Sequence, residues 1–499
     1  MPAMPRIQFE QLSLSQLRWF VALCSALLSV EAFLTDDIIN KDGILYVQMA
    51  EALLQGGFQA MADLYDWPFY AILTAVLSAI SGLSAQFSAS IINIVLFVLF
   101  TDSLLRISAK LIIPSRQLAI AAILILLFLS LNNYRDFIVR DVGYWAFVSL
   151  ALLHFLNFLR TGALHHGLYW QAYTFIAFLF RIEALFLLLA MPLLACFQSR
   201  QVSWPKQIFS LYGLTLITLF GAMILLVLSD GWSEVFGRLS LIADYTDSSR
   251  FMFLFEQNRQ FIADKILHPV SEDAASLFLA SALFGIIVGE ILLGLSVSYL
   301  ILWVMASRYP SPPLPQTERI ALVYFLFLNG LILYVLLLNT YLMTTRYGVM
   351  AFTSLFLMIL PKISGFIDEC YQNKRRVPLF IIGMLLLYSL GDAVYQSHSK
   401  SYLPATAKWA ATTLPDNSRV ATLDVFSAYY LEQYAGDRLR ITQHSLQTLN
   451  KQTDYLLIVS KNRHGPGPAM IPTDLSLTVL HHQESDRGDS ATLYQVQNQ

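Results

Sequence analysis

Apolar residues run in blocks of about twenty through the first four fifths of the chain, and a helix of that length crosses about 30 Å of hydrocarbon. The blocks cover residues 17–35, 87–108, 117–133, 142–160, 168–180, 183–198, 207–229, 275–303, 319–340, 347–364 and 378–397, which predicts eleven spans. Residues 68–84, PFYAILTAVLSAISGLS, are apolar but short and open on Pro68, so they are expected to dip into the membrane and return, or to lie on its surface. Near residue 398 the pattern changes. Residues 404–414 and 426–435 have helical spacing, whereas 419–423, 455–459, 475–481 and 491–496 alternate or run apolar as strands do. The expected fold is an all-α polytopic membrane bundle of about eleven spans plus a re-entrant or surface segment, residues 1–397, followed by a small C-terminal α/β domain, residues 398–499.

Composition agrees with a membrane protein: 56% of residues are apolar and only 13% charged, and the mean hydropathy is +0.56. The formal charge is −2 and the longest basic run is Lys374-Arg375-Arg376, which gives no support for a nucleic-acid partner. Cys24, Cys196 and Cys370 form no CxxC and no Cys/His ligand spacing, so neither a disulfide framework nor a zinc site is indicated. Arg6 and Arg18 precede the first apolar block without a small-x-small cleavage site after it, which predicts an uncleaved first span that starts in the cytoplasm.

Orientation follows from the basic residues between blocks. If residues 68–84 do not cross, then Arg106, Lys110 and Arg116, Arg160, Arg200 and Lys206, Arg308 and Arg319, and Lys362 with Lys374 to Arg376 all fall inside, as the positive-inside bias requires. Residues 36–86, 134–141, 230–274, 341–346 and the tail then face outward, into the periplasm if the membrane is a bacterial inner membrane.

Charges in those outer connections need a reason beyond solubility. Residues 36–57, DDIINKDGILYVQMAEALLQGG, place Asp36, Asp37 and Asp42 just after the first span. From Asp42 the apolar positions Leu45, Met49, Ala52 and Leu53 recur with helical spacing until Gly56-Gly57, which predicts an amphipathic surface helix. Asp42 can serve as that helix's N-cap, as a chemical group, or as both. In NNYRDFIVRDVGYW, residues 132–145, Arg135 and Arg140 interleave with Asp136 and Asp141; for Asp136 a solvated loop ion pair suffices, whereas Asp141 stands at the entrance of a span where burial is expected. FLFRIEALF carries Arg181 and Glu183, which either pair with each other or leave a guanidinium for a phosphate. Arg346 in MTTRYGVM supports the same two readings. HGPGPAM in the tail lacks a strand-glycine-helix context and is assigned no phosphate role.

Two carboxylates and several arginines at one membrane boundary suit sugar transfer from a lipid phosphate. The acceptor hydroxyl must lose a proton to a base, and the departing phosphate needs an arginine or a metal ion. A second carboxylate then either binds a divalent cation such as Mg or Mn or orients the acceptor.

The same segments resemble the GT-C superfamily of integral-membrane glycosyltransferases, above all the branch of protein O-mannosyltransferases and the bacterial lipid A aminoarabinose transferase. The resemblance rests on the acidic first loop DDIINKDGILYVQMAEAL, the proline-led WPFYAILTAVLSAISGLS, the second acidic loop YRDFIVRDVGYW and the Arg181-x-Glu183 pair, and it spans residues 17–200. From 207 to 397 it reduces to span count and Arg346-Tyr347, and Ile182 stands where the family often has proline. By this resemblance the catalytic aspartate is Asp42, with Asp141 as the second acidic position and Asp37 as the alternative in the first loop. Tyr46, Arg140, Arg181, Glu183, Arg346 and Tyr347 are the expected substrate contacts, and a metal ion, where one is used, sits on Asp42 and Asp141. The implied partners are a polyprenyl-phosphate-linked sugar, membrane lipids and a cell-envelope acceptor. The alternative, a transporter or lipid flippase, calls for polar breaks near the midplane and repeated halves, of which the sequence shows little.

Overall fold

A computed structural model describes residues 12–198, 203–228, 248–394, 400–443, 453–461 and 476–497. HGPGPAM and residues 230–247 of the third outer connection lie outside the described residues. Each apolar block read from the sequence is helical where described, but the blocks differ in length. Among the described residues, seven helices are long and apolar enough to cross a membrane: Leu14–Thr35, Ala85–Leu111, Asp141–Thr161, Pro269–Gly294, Gln316–Thr340, Thr345–Gln372 and Arg376–Val394. The block 117–133 breaks into Ser115–Leu126 and Leu129–Asn132, the block 183–198 is interrupted around Pro192, and 275–303 breaks at Ser296, whose φ is 62°.

The segments that position the polar end are α1 (Leu14–Thr35), α2 (Lys41–Ala62), α3 (Phe69–Ser81), α4 (Ala85–Leu111), α5 (Ser115–Leu126), α6 (Leu129–Asn132), α7 (Asp141–Thr161), α8 (Leu164–Phe180) and α9 (Glu183–Ala190). Ser13 starts α1 with a capping box, its hydroxyl accepting from Gln16 N at 3.2 Å while the Gln16 side chain accepts from Ser13 N at 2.8 Å. The 13 residues of α3 span about 20 Å, too short to cross alone. Helix α3 ends at Gly82 in the left-handed region, and the chain turns directly into α4. Helix α7 is buried along most of its length, and Gly143 in its first turn lies against the Phe180 ring at the end of α8, where a Cβ would collide. That close approach sets the start of α7 beside the α8–α9 junction.

Two local expectations change. Asp42 is not the N-cap of α2; Asn40 holds that position and Asp42 lies in the first turn. Gly56-Gly57 does not stop the helix either, because the chain kinks at Gly57 (φ 78°) and resumes a helical path to Ala62. Glycine allows that backbone angle at little cost, so a kink replaces the expected terminus.

At the opposite end of the bundle the basic clusters meet carboxylates: Arg18 Nε donates to Asp102 Oδ1 at 2.7 Å, and Arg116 pairs with Asp368 and Arg160 with Glu318. The tail folds as a five-stranded sheet of β1 (Arg419–Thr422), β2 (Arg440–Gln443), β3 (Tyr455–Ser460), β4 (Ser476–Glu484) and β5 (Ser490–Gln497) in the order β2-β1-β3-β5-β4. The β1–β2 and β1–β3 pairs are parallel, and the β3–β5 and β4–β5 pairs are antiparallel. Helices Tyr402–Thr413 and Val425–Ala435 pack with it. Strand β2 was not expected; RITQ is four residues long with two polar and one charged side chain, too little pattern to register.

Candidate active site

Five residues without regular structure, Asp36–Asn40, link α1 to α2 and form a strap across the polar end of the bundle. Asn40 ties it to the second loop by two hydrogen bonds: Ile138 N donates to Asn40 Oδ1 at 2.8 Å, and Asn40 Nδ2 donates to Ile138 O at 3.3 Å. Gly43 makes this closeness possible, since a Cβ there would stand 2.7 Å from Asn40 Oδ1 and 3.0 Å from Ile138 Cβ. The first and second loops, about a hundred residues apart in sequence, are thereby held edge to edge.

Beside this junction opens a cavity of about 360 Å³ lined by Asp42, Tyr46, Tyr65, Asp66, Trp67, Arg140, Asp141, Arg181, Glu183, Arg346 and Tyr347, with Leu45, Ile182, Leu336 and Leu342 as its apolar part. Among the described residues, three ion pairs line it. Arg346 Nη1 donates to Asp42 Oδ2 across 304 positions of sequence. Arg181 Nη1 donates to Asp141 Oδ1, while its Nε donates to Glu183 Oε2 at 3.1 Å and its Nη2 to Glu183 Oε1. Mutual pairing of Arg181 and Glu183 is thus present, but the same guanidinium also serves Asp141. Its carbon lies 4.9 Å from the centre of the Tyr347 ring, over which Arg346 also sits at 5.4 Å.

Arg140 is different. Among the described residues it meets no carboxylate within ion-pair distance; its guanidinium lies over the Tyr65 and Trp67 rings at 5.4 and 5.8 Å. Burial by itself would lower its pKa, and the neighbouring Tyr46, Tyr65 and Asp141 more than offset this, so it remains a cation. Trp67 is fixed by its indole N–H, which donates to Leu179 O at 2.7 Å. Tyr46 is buried edge-on against Tyr70, with ring centres 5.1 Å apart, and burial raises its phenol well above the usual range.

No protein-family profile matches the chain, and no curated protein matches it. Solved structures do. ArnT from Cupriavidus metallidurans in its apo state is similar at 13% identity over 95% of this chain and 98% of that one, with a TM-score of 0.39. Two structures of the arabinofuranosyltransferase AftD from Mycobacteria are similar as well. A mutant form matches at 10% identity with a TM-score of 0.44, covering 96% of this chain and 41% of AftD. The other matches at 13% with a TM-score of 0.40, covering 98% and 40%.

Of the residues singled out in the sequence, Asp42, Tyr46, Arg140, Asp141, Arg181, Glu183, Arg346 and Tyr347 line one cavity. Asp37 stands apart. It lines a second cavity on the other side of the strap, with Asp36 and Asp136, and accepts from Lys400 N at 3.0 Å. The second loop also departs from solvated ion pairing. Arg135 is buried and donates to Asn132 Oδ1, Ser25 O, Ser25 Oγ and Ser29 Oγ at 2.7–3.1 Å. Asp136 is half-buried, and its Oδ1 has no hydrogen-bond partner. Tyr65, Asp66 and Trp67 were missed. They sit just before Pro68, and an aromatic-acid-aromatic run between two apolar stretches was the available signal.

Among the described residues no three His, Cys, Asp or Glu side chains converge as ligands. Asp42 and Asp141 each already face a guanidinium, so the pair does not fit a divalent cation in this arrangement.

Proposed function

We propose that this chain is an inverting integral-membrane glycosyltransferase that moves a sugar from a polyprenyl-phosphate donor to a cell-envelope acceptor. On this reading the bundle crosses a bacterial inner membrane about eleven times, starts in the cytoplasm, and presents the cavity and the C-terminal α/β domain to the periplasm. One observation carries the reading. Two carboxylates and three guanidiniums drawn from four separate parts of the sequence line one cavity at the end of a membrane bundle: Asp42, Arg140 with Asp141, Arg181, and Arg346.

In the reaction the acceptor oxygen attacks the anomeric carbon, the bond from that carbon to the phosphate oxygen breaks, and the hydroxyl proton passes to Asp42. Phosphate departs as an anion and needs no acid, in contrast to the alkoxide that a glycosidase must protonate. Its growing charge falls to arginine. Arg346 has a double use here. While it holds Asp42 the carboxylate is occupied, and a phosphate that draws Arg346 away frees Asp42 to accept the proton. Asp141, held through Arg181 together with Glu183, orients the acceptor. The apolar positions Leu45, Ile182, Leu336 and Leu342 suit the first isoprene units. A transporter would place its charges near the midplane, whereas these gather at one boundary.

The test offers purified full-length protein a set of labelled polyprenyl-phosphate sugars with cell-envelope acceptors. Transfer from one donor by the wild type and none by Asp42→Asn, at equal membrane abundance, is the expected result. Full activity in Asp42→Asn removes the assignment.

A further inference from the structure

The tail reaches the strap that leads into α2 and Asp42. Ile39 N, in a strap with no helix or strand to satisfy it, donates to the Tyr430 hydroxyl at 3.0 Å, 391 positions away. Ile38 and Ile39 are both buried, and with Tyr430 they also line the second cavity, so this hydroxyl is the protein acceptor that ties the strap to the tail at Ile39. Lys400 N donates to Asp37 Oδ2 at 3.0 Å two residues earlier, and the Tyr429 hydroxyl donates to Gln86 Oε1 at 3.3 Å on the first turn of α4. These hydrogen bonds join the tail to the polar end, and that of Tyr430 grips the strap at the residue next to Asn40.

From there the linkage to the site is short. Asn40 is bonded on both sides of its amide to Ile138, Gly43 packs against both with no room for a methyl group, and Asp42 sits between them in the first turn of α2. Ile138 in turn lies two residues before Arg140 and three before Asp141. A strap fixed at Ile39 fixes the relative placement of the two loops that supply the carboxylates.

We infer that Tyr430 of the C-terminal unit is a positioning residue for Asp42, so that the tail completes the active site and is not merely attached to it. The inference rests on the glycosyltransferase reading for its consequence but not for its geometry. Removing the phenol oxygen leaves the ring packed but takes away the protein acceptor of Ile39 N, so the strap loses its tie to the tail at that residue and is free to shift. A shift of about 1 Å at a base is enough to slow a reaction by up to about a hundredfold without touching the donor's binding groups.

The experiment uses full-length protein in nanodiscs and two variants, Tyr430→Phe and Tyr429→Phe. Amide hydrogen exchange of residues 36–44 is read by mass spectrometry, and transfer kinetics are read with whichever polyprenyl-phosphate sugar the wild type turns over. In Tyr430→Phe, exchange of the strap rises about tenfold, and kcat falls about tenfold while KM for the donor stays within about twofold. Tyr429→Phe changes neither. Wild-type exchange and kcat in Tyr430→Phe would overturn the inference, and so would a rise in exchange spread equally over the tail sheet, since the hydroxyl would then only hold the tail together. If the wild type transfers no sugar, the functional reading fails by itself, and strap exchange still decides whether Tyr430 holds the loop.

Discussion

Two cavities of similar size, about 360 and about 400 Å³, flank the strap at the same end of the bundle. Both hold carboxylates: Asp42, Asp66, Asp141 and Glu183 line the first, and Asp36, Asp37 and Asp136 line the second. Volume and acidity do not tell them apart. Cations do, because Arg140, Arg181 and Arg346 line the first cavity and, among the described residues, no arginine or lysine lines the second. An opposite charge favours the anionic form of a carboxyl group, whereas burial beside a like charge favours the neutral form. In the second cavity Asp136 follows that rule: burial, and then the neighbouring Asp36, push its carboxyl up to about 7. Asp36 is also raised, again chiefly by burial. Acidic residues clustered at a membrane boundary are therefore a weak sign of chemistry on their own. Carboxylates matched with guanidiniums from distant parts of the chain are a stronger one.

The sharpest way to break this comparison is to swap the same chemical change between cavities. Asp42→Asn is expected to cut transfer about 10²- to 10⁴-fold, the usual worth of a general base. Asp37→Asn, on the other side of the strap, is expected to keep turnover near wild type. Equal losses in a labelled-donor assay would show that the two cavities act together. Next in size is Arg181→Met. Arg181 is buried and faces both Asp141 and Glu183, so its loss takes from both the cation paired with them, leaving only the more distant Arg140 and Arg346, and is expected to cost about 3–5 kcal/mol. Thermal unfolding in detergent measures this. Restoration of most of the lost stability by the triple change Arg181→Met, Asp141→Asn, Glu183→Gln would confirm that charge, not packing, sets the cost.

Much of the first cavity was legible in the sequence, and the reason is specific. Asp141, Arg181 and Arg346 each border an apolar block, where a charge stands out against a uniform background, and Asp42 belongs to the acidic loop that follows the first block. What the sequence could not give is pairing. Nothing in MTTRYGVM says that Arg346 meets Asp42 and not Glu183, because the meeting depends on how helices 304 residues apart pack. Arg135 misled for the converse reason. It sits in an alternating-charge loop that reads as solvated, yet its side chain turns into the bundle toward Ser25 and Ser29. Span lengths were overread where an apolar block contains a break that hydropathy averaging hides, as at Pro192 and Ser296. Asn40 and Gly43 look like ordinary loop and helix-start residues until Ile138 is placed against them.

The contact at Gly43 gives a prediction of intermediate size. Gly43→Ala puts a methyl group against Asn40 Oδ1, Ile39 Cγ1 and Ile138 Cβ, and overpacking of this kind is expected to cost about 1–3 kcal/mol. Because the clash pushes the two loops apart, activity should fall further than the lost stability explains. A variant that unfolds earlier but keeps wild-type kcat would mean that the loop junction tolerates movement.

The effect at Asp136 depends on pH, and it carries a sign that can be checked. Its carboxyl has a pKa of about 7 when folded against an ordinary value of 3.8. Below the ordinary value the group is protonated in both states and costs nothing. Between the two values the unfolded chain ionises while the folded one does not, so stability falls as pH rises, and above the folded value the cost is constant. Asp136→Asn removes that cost without changing size. Its unfolding temperature should match wild type near pH 4 and exceed it near pH 8, with the gap opening between those limits. A cation held by Asp36, Asp37 and Asp136 would reverse the result, since the aspartate would then be the stabilising form at high pH and the asparagine variant the weaker one.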